Sequence, residues 1–253
     1  MTTYYNEIEP YAAEWLRNLI KAGLIPDGEV DTRSIVDVSA DDLRGFTQCH
    51  FFSGIGGWAY ALRLAGWPDD REVWTGSCPC QPFSVAGKGL GANDPRHLWP
   101  DFFRLIRAVR PSVVMGEQVA GSAGYGWFDG VAFDLESEDY ASRAVDIPAC
   151  AVNAPHIRSR LYWVAADALL VRSARYSQAG CIGEMRQGRA RSAMDLLQVL
   201  NEPYSHGDGF PQPLLRRMDD GIPARVGRLR AYGNAIVPQI AAEVIAAFME
   251  CEQ

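Results

Sequence analysis

The loop GSCPCQPFS at 76–84 follows a short apolar strand signal, Val73–Thr75, and carries two cysteines, Cys78 and Cys80. A cysteine fixed by prolines on a strand-end loop is a candidate nucleophile once its thiolate forms. Metal binding by the pair would need two further Cys or His ligands at sensible spacing, and none lies nearby, so no metal site is expected. Glu117 closes the apolar run Ser112–Met115 and is expected at the strand's end. A carboxylate at the carboxyl edge of a parallel sheet stands where ligands bind in that architecture, and partial burial would raise its pKa toward general-acid use. Arg158 and Arg160 alternate just ahead of a strand, so their side chains leave on one face. FSGIGG at 52–57 lies between a strand signal and a helix signal, where backbone N–H groups can approach a nucleotide-like ligand closely. Taken singly, each has a bland reading as a tight turn, a solvated strand end or a surface arginine pair.

The elements that must position these groups follow from periodicity. Strands are predicted at 3–8, near Val30, at Thr47–Phe52, Val73–Thr75, Ser112–Met115, Ala141–Val145 and Arg160–Ala165. Helices are predicted at Glu9–Ala22, from Ser39, at Trp58–Ala65, Leu98–Ala108 and Phe128–Glu136, and Gly233–Phe248 is expected to end in a strong apolar helix. This alternation implies an α/β layered fold with a largely parallel sheet. The rhythm is lost over 166–227. With 253 residues, 48% of them hydrophobic and 22% charged, the chain can bury a sizeable core. No apolar run reaches the ~20 residues of a bilayer span, so no membrane partner is expected. Six scattered cysteines suggest a reducing cytoplasm rather than a disulfide framework. The net charge of −7 argues against nucleic acid until it is divided: residues 1–155 carry −9, and 156–230 carry +5 made entirely with arginine. Arginine suits bidentate contacts to phosphate and guanine, although a genome preferring arginine codons would leave the same mark.

Together, the run from Phe51 to Ala165 closely resembles the DNA cytosine carbon-5 methyltransferase family. FSGIGG is similar to its first cofactor motif and PCQPFS at 79–84 to its nucleophile loop. GEQV at 116–119 resembles the Glu-Asn-Val motif, HIRSR at 156–160 the Gln-x-Arg-x-Arg motif, and GNAIVPQIAAEVI at 233–245 the C-terminal motif. The resemblance implies a Rossmann-like, mostly parallel sheet with helices on both faces, formed by 1–165 and 228–253, and a small irregular target-recognition region at 166–227. It implies double-stranded DNA as partner, with the target cytosine flipped out, S-adenosyl-L-methionine as cofactor, and a monomer. Cys80 would attack carbon 6, Glu117 would hold and protonate ring nitrogen 3, Arg160 would bind the carbonyl oxygen, and Arg158 would bind phosphate or loop groups. Pro79, Gln81 and Ser84 would line the substrate. Phe52, Gly54, Gly56, Gly57 and Asn234 would line the cofactor. A restriction–modification, phage or prophage setting goes with so compact a form.

The order of motifs departs from the family. Only GWPDDRE at 66–72 separates the helix after FSGIGG from the next strand, where the family has two strands and a helix. NEIEPYAAEWLRNLI at 6–20 resembles the family's second motif and GEVDTRSIVDVSADDLRGF at 28–46 its third. Glu7 would then chelate the ribose hydroxyls, Ile8 would pack on the adenine and Asp31 would accept from its amino group. Otherwise 1–46 is an unrelated extension and the pocket is degenerate. Gln118 replaces the family's Asn, either reaching the same loop carbonyl or shifting the loop, and His156 replaces a Gln. Two rival functions are a cytosine-modifying enzyme using another one-carbon donor and a catalytically silent DNA-binding relative.

Overall fold

The computed structural model describes residues 2–79, 98–154, 156–169 and 235–251. Those residues form β1 (Thr2–Asn6), α1 (Pro10–Lys21), β2 (Gly28–Asp31), β3 (Phe46–Phe51), α2 (Gly57–Leu64) and β4 (Val73–Gly76), followed by α3 (Trp99–Val109), β5 (Val113–Val119), α4 (Ser122–Ser137), β6 (Tyr140–Pro148), β7 (Ser159–Asp167) and α5 (Pro238–Cys251). The strands make one sheet in the order β2-β1-β3-β4-β5-β7-β6. Pairing is parallel from β2 through β5, while β7 runs antiparallel to both β5 and β6. The expected mostly parallel α/β sheet with helices on both faces is therefore present.

Period-two burial sets the two faces. Tyr4, Phe51, Trp74, Val114 and Trp163 point into one core, covered by Phe102 and Leu105 of α3 and Val131 and Leu135 of α4. Val73, Val113, Met115 and Tyr162 point the other way, beneath Trp58 and Leu62 of α2 and Ile240 and Ile245 of α5. Tyr5 shares that second face with Leu16 of α1 and Ala59 of α2. The glycine turn before α2 is tucked against α1: Gly56 has φ +83°, and an added Cβ would lie 3.1 Å from Leu19.

This placement gives the crossovers unequal hands. From β1 the chain passes over α1 to β2, one way across the sheet; from β3 it passes over α2 to β4, the other way. Both helices lie on the same face, so the two crossovers have opposite hands. The β4–α3–β5 unit moves in the direction of β3–α2–β4 but over the opposite face, and so shares the hand of β1–α1–β2. Parallel crossovers are right-handed in about 98% of cases, which makes β3–α2–β4 the exception.

Several boundaries differ from expectation. Glu117 lies inside β5, which continues to Val119 because β7 pairs with it along its whole length. The helix expected from Ser39 is a single 3-10 turn at Asp41–Leu43. Helix α4 begins at Ser122, six residues before its predicted start, through a glycine-rich stretch that reads as loop. Gly124 is needed there, since a Cβ would meet the Val119 carbonyl. The apolar helix expected at the end of 233–248 is present as α5, starting at Pro238. Among the described residues no helix is long and apolar enough to cross a membrane.

Candidate active site

The carboxyl ends of β1, β2 and β3 converge, since Asn6 pairs with both Asp31 and Phe51. The first residues beyond these strands therefore meet at one sheet edge, where the chain departs in opposite directions from β1 and β3. Such a switch point is where open α/β sheets bind ligands. Glu7 follows β1. Its Oε2 accepts from Gly54 N at 2.6 Å and its Oε1 from Glu9 N at 2.9 Å. Burial pushes the Glu7 carboxyl above its ordinary range, against the pull of these two N–H groups. Ser53 ties the same corner together, its backbone N–H donating to Asn6 O at 3.0 Å.

Phe52 turns the chain with φ 52° and lies edge-on to Phe102, with centroids 6.2 Å apart. Gly54 has φ +55°, and an added Cβ there would meet nothing within 4 Å, so open space lies before the turn. Ile8, which follows Glu7 in the chain, is 64% exposed. Asp31 is more heavily engaged than expected. It accepts from Tyr4 Oη at 2.7 Å, from Arg33 N at 2.9 Å and from Arg33 Nη2 at 2.7 Å. Burial pushes its carboxyl up, but the bonds from Arg33 and Tyr4 outweigh it and the net direction is down. A ligand amino group at Asp31 would have to share a carboxylate already held within the protein.

The second group of residues lies across β4, β5 and β7. Glu117 is 7% exposed. Arg160 Nε stands 2.7 Å from its Oε1, an ion pair shielded from solvent. Burial pushes the Glu117 carboxyl up; the positive charges of Arg160 and then Arg158 oppose it, and the net direction is up. Tyr162, fully buried, sits directly opposite Glu117 across the strand pair. The sequence reading passed over Tyr162, although its spacing from Arg158 and Arg160 continues the same alternation onto the same face.

The root of the nucleophile loop is held from two sides. Trp58 Nε1 donates to Ser77 Oγ at 3.0 Å, and Gln118 Nε2 reaches the Cys78 carbonyl at 3.5 Å. The Cys78 side chain is buried in the core and its thiol is pushed up by burial, so it is not poised as a nucleophile. Pro79 ends the described part of this loop. Cys80, Gln81, Ser84 and Asn234 lie outside the described residues, as does most of the 166–227 region. A cleft of about 480 Å³ beside Gly56 and Gly57 is lined by His156, Arg158 and Ile236 among others. Gly57 faces that segment closely: an added Cβ would stand 2.7 Å from Ile236 Cγ1. Among the described residues no group of three or more His, Cys, Asp or Glu could hold a metal ion.

Thus Glu7, Asp31, Phe52 and Gly54 gather at the switch point, and Glu117, Arg158 and Arg160 share one face nearer the β7 side. Residues 67–180 match the model of the family described as C-5 cytosine-specific DNA methylase. The Type II methyltransferase M.HgiCII of Herpetosiphon aurantiacus is 29% identical over a match covering 31% of this chain and 27% of that protein. The Type II methyltransferase M.NgoMIV of Neisseria gonorrhoeae is 43% identical over 21% of this chain and 17% of its own length. The chain therefore matches well under half the length of these relatives. Among solved structures, the Entamoeba histolytica methyltransferase EhMeth is similar with a TM-score of 0.42 at 15% identity, over 64% of this chain and 44% of that one.

Proposed function

We propose, from the premise that the chain belongs to the C-5 cytosine-specific DNA methylase family, that it methylates carbon 5 of cytosine in DNA using S-adenosyl-L-methionine. The observation that carries this reading is the buried Glu117 carboxyl beside Arg160 at 2.7 Å, one strand from the root of the Cys80 loop. Burial favours the protonated form of a carboxyl, the form a general acid needs, and a guanidinium beside it can hold a carbonyl oxygen.

Residues at the switch point fit the cofactor. Glu7 would accept from the ribose hydroxyls, Ile8 and Phe52 would enclose the adenine, and Gly54, Gly56, Gly57 and Asn234 would face the methionine end. The open space before Gly54 supports this assignment. In this reading the N-terminal segment supplies the second and third cofactor motifs ahead of the first, as the adjacency of β1, β2 and β3 favours. S-adenosyl-L-methionine supplies an electrophilic methyl group when bound.

The chain's own residues then divide the work. The Cys80 thiolate forms a bond to carbon 6 of a flipped cytosine, while Glu117 gives its proton to ring nitrogen 3, so the electrons entering the ring are neutralised. Arg160 holds the carbonyl oxygen, and Arg158 holds phosphate or loop groups. Carbon 5 is thereby made nucleophilic. After methylation carbon 5 gives its proton to solvent water, the electrons of that bond form the 5,6 double bond as the carbon 6–sulfur bond breaks to return the thiolate, and the nitrogen 3 proton returns to Glu117. Pro79, Gln81 and Ser84 shape the substrate side. Carbon 6 is unreachable within a duplex, so the base must leave the stack. Residues 1–165 and 228–253 form the catalytic part, and the arginine-rich 166–227 faces the DNA.

The test is incubation with plasmid DNA and labelled S-adenosyl-L-methionine, followed by bisulfite sequencing. Methylated cytosines that vanish in Cys80→Ser are expected. Methylation persisting in that variant would overturn the mechanism, and none with the wild type would overturn the function.

A further inference from the structure

We infer that Trp58 is a positioning residue that holds the root of the Cys80 loop in register with the glycine-rich turn. The inference rests on the methyltransferase reading. Trp58 is the second residue of α2, directly after FSGIGG, and is 4% exposed. Its indole N–H donates to Ser77 Oγ at 3.0 Å. Ser77 is the first residue beyond β4 and stands three residues before Cys80. The other brace on this root is Gln118 to the Cys78 carbonyl, which is longer at 3.5 Å.

Trp58 cannot drift without disturbing its surroundings. Its ring lies edge-on to Tyr162, with centroids 6.2 Å apart and planes at 71°. Tyr162 in turn occupies the position opposite Glu117. Trp58 also belongs to the core cluster that includes Ile236, and at the neighbouring Gly57 an added Cβ would stand 2.7 Å from Ile236 Cγ1, so the first turn of α2 packs closely on the C-terminal segment. One side chain therefore touches the nucleophile loop and the neighbour of the proposed acid, and is anchored in the turn proposed to hold the cofactor.

Packing alone does not account for an indole at this position. A phenylalanine would fill most of the same space, whereas the indole N–H is a donor only and needs an acceptor. Elsewhere a buried indole goes without an acceptor among the described residues: Trp163 Nε1 has no hydrogen-bond partner there. The Ser77 contact is therefore not forced by burial. Its value lies in fixing where the loop leaves the sheet, because a misplacement of ~1 Å at a reacting group can cost ~10²-fold in rate.

The test uses the full chain, DNA containing 5-fluorocytosine and saturating S-adenosyl-L-methionine, and follows the rate of covalent adduct formation. Trp58→Phe and Ser77→Ala should each slow it about tenfold, as expected for one lost hydrogen bond acting on placement. The KM for S-adenosyl-L-methionine should stay within about twofold. Ser77→Thr, which keeps the hydroxyl, should restore most of the rate. The double variant Trp58→Phe/Ser77→Ala should be no slower than the slower single one, because both remove the same contact. Wild-type rates in either single variant, or losses that multiply in the double, would overturn the inference. A wild-type protein that forms no adduct would instead sink the methyltransferase reading, and this inference would fall with it.

Discussion

Replacing Glu7 separates a ribose-binding carboxylate from a merely structural one. Its two oxygens accept from Gly54 N at 2.6 Å and from Glu9 N at 2.9 Å. The Glu9 contact is exposed, so water can replace it in Glu7→Ala. The Gly54 contact is part-buried, so its loss should destabilise the fold by about 1–2 kcal/mol. Binding should suffer more. A diol donating two hydrogen bonds to a carboxylate is worth about 1.5–3 kcal/mol per bond. Taking the low end of each gives about 3 kcal/mol, or a Kd weakened by roughly 150-fold. Glu7→Gln keeps an acceptor for Gly54 and the side-chain shape but loses the charge. It should fold as well as wild type and bind about tenfold more weakly, since neutral hydrogen bonds are about half as strong.

Isothermal titration with S-adenosyl-L-methionine, beside thermal unfolding, reads both effects. The pH dependence supplies a sign. Burial raises the folded-state pKa of Glu7, so its charge costs stability at neutral pH and that cost is relieved as pH falls through the raised value. Cofactor binding needs the ionised form and should weaken over the same interval, above the ordinary glutamate pKa of about 4.3. Glu7→Gln should be flat there. A Glu7→Ala protein that loses stability as expected but keeps wild-type affinity would refute the reasoning, leaving Glu7 as a brace for the Gly54 turn.

Glu117→Gln should lower kcat by about 10²–10⁴-fold, the range of a lost general acid, with adduct formation the step affected. Because burial raises the Glu117 pKa, the wild-type rate should fall as pH rises through that value, and rate–pH profiles should show the limb missing in Glu117→Gln. A second expectation concerns chain order. Moving residues 2–45 to between Gly66 and Glu72, with short linkers, should preserve the circular-dichroism spectrum and leave cofactor affinity within about tenfold, since joining points at loops are widely tolerated. A folded rearranged chain with no measurable cofactor binding would show that the present order matters to the pocket.

Much of this was legible locally. The amphipathic spacing of α1 and the glycine run before α2 were readable in the residues themselves, while Glu7 was set at a strand end by the resemblance of 6–20 to the family's second motif. Glu117 was misplaced because GEQV is not apolar, although pairing with β7 keeps β5 extended and Gln118 1% exposed. The engagement of Asp31 by Arg33 follows from a turn two residues on, which gives no periodic signal. Nor could the chain's own spacing show that Trp58 reaches Ser77, 19 residues away, or that α1 and α2 share a face. Contacts of that kind are set by packing.

The hand of the β3–α2–β4 crossover is the feature least expected from physics and most instructive about the site. A right-twisted strand feeding a helix packs back comfortably in only one sense, so a lone crossover of the wrong hand needs a reason. Here α2 covers the face it would cover if the chain ran on from β3 to β1, the strand whose end carries Glu7. In that order α2 would lead across to β1 in the same direction as α1 leads to β2, over the same face, and every crossover would share one hand. The exception disappears if 2–45 is read as a segment that has changed its place in the chain but not in space. Ligand geometry at a sheet edge depends on which strand ends are neighbours, and connections made at the opposite edge do not alter it. Residues Glu7 and Gly54 can therefore meet at 2.6 Å whichever comes first in the sequence. The cost of the reordering falls on a connection at the opposite edge of the sheet, where a helix of eight residues and a short link from Ala65 to Glu72 absorb it.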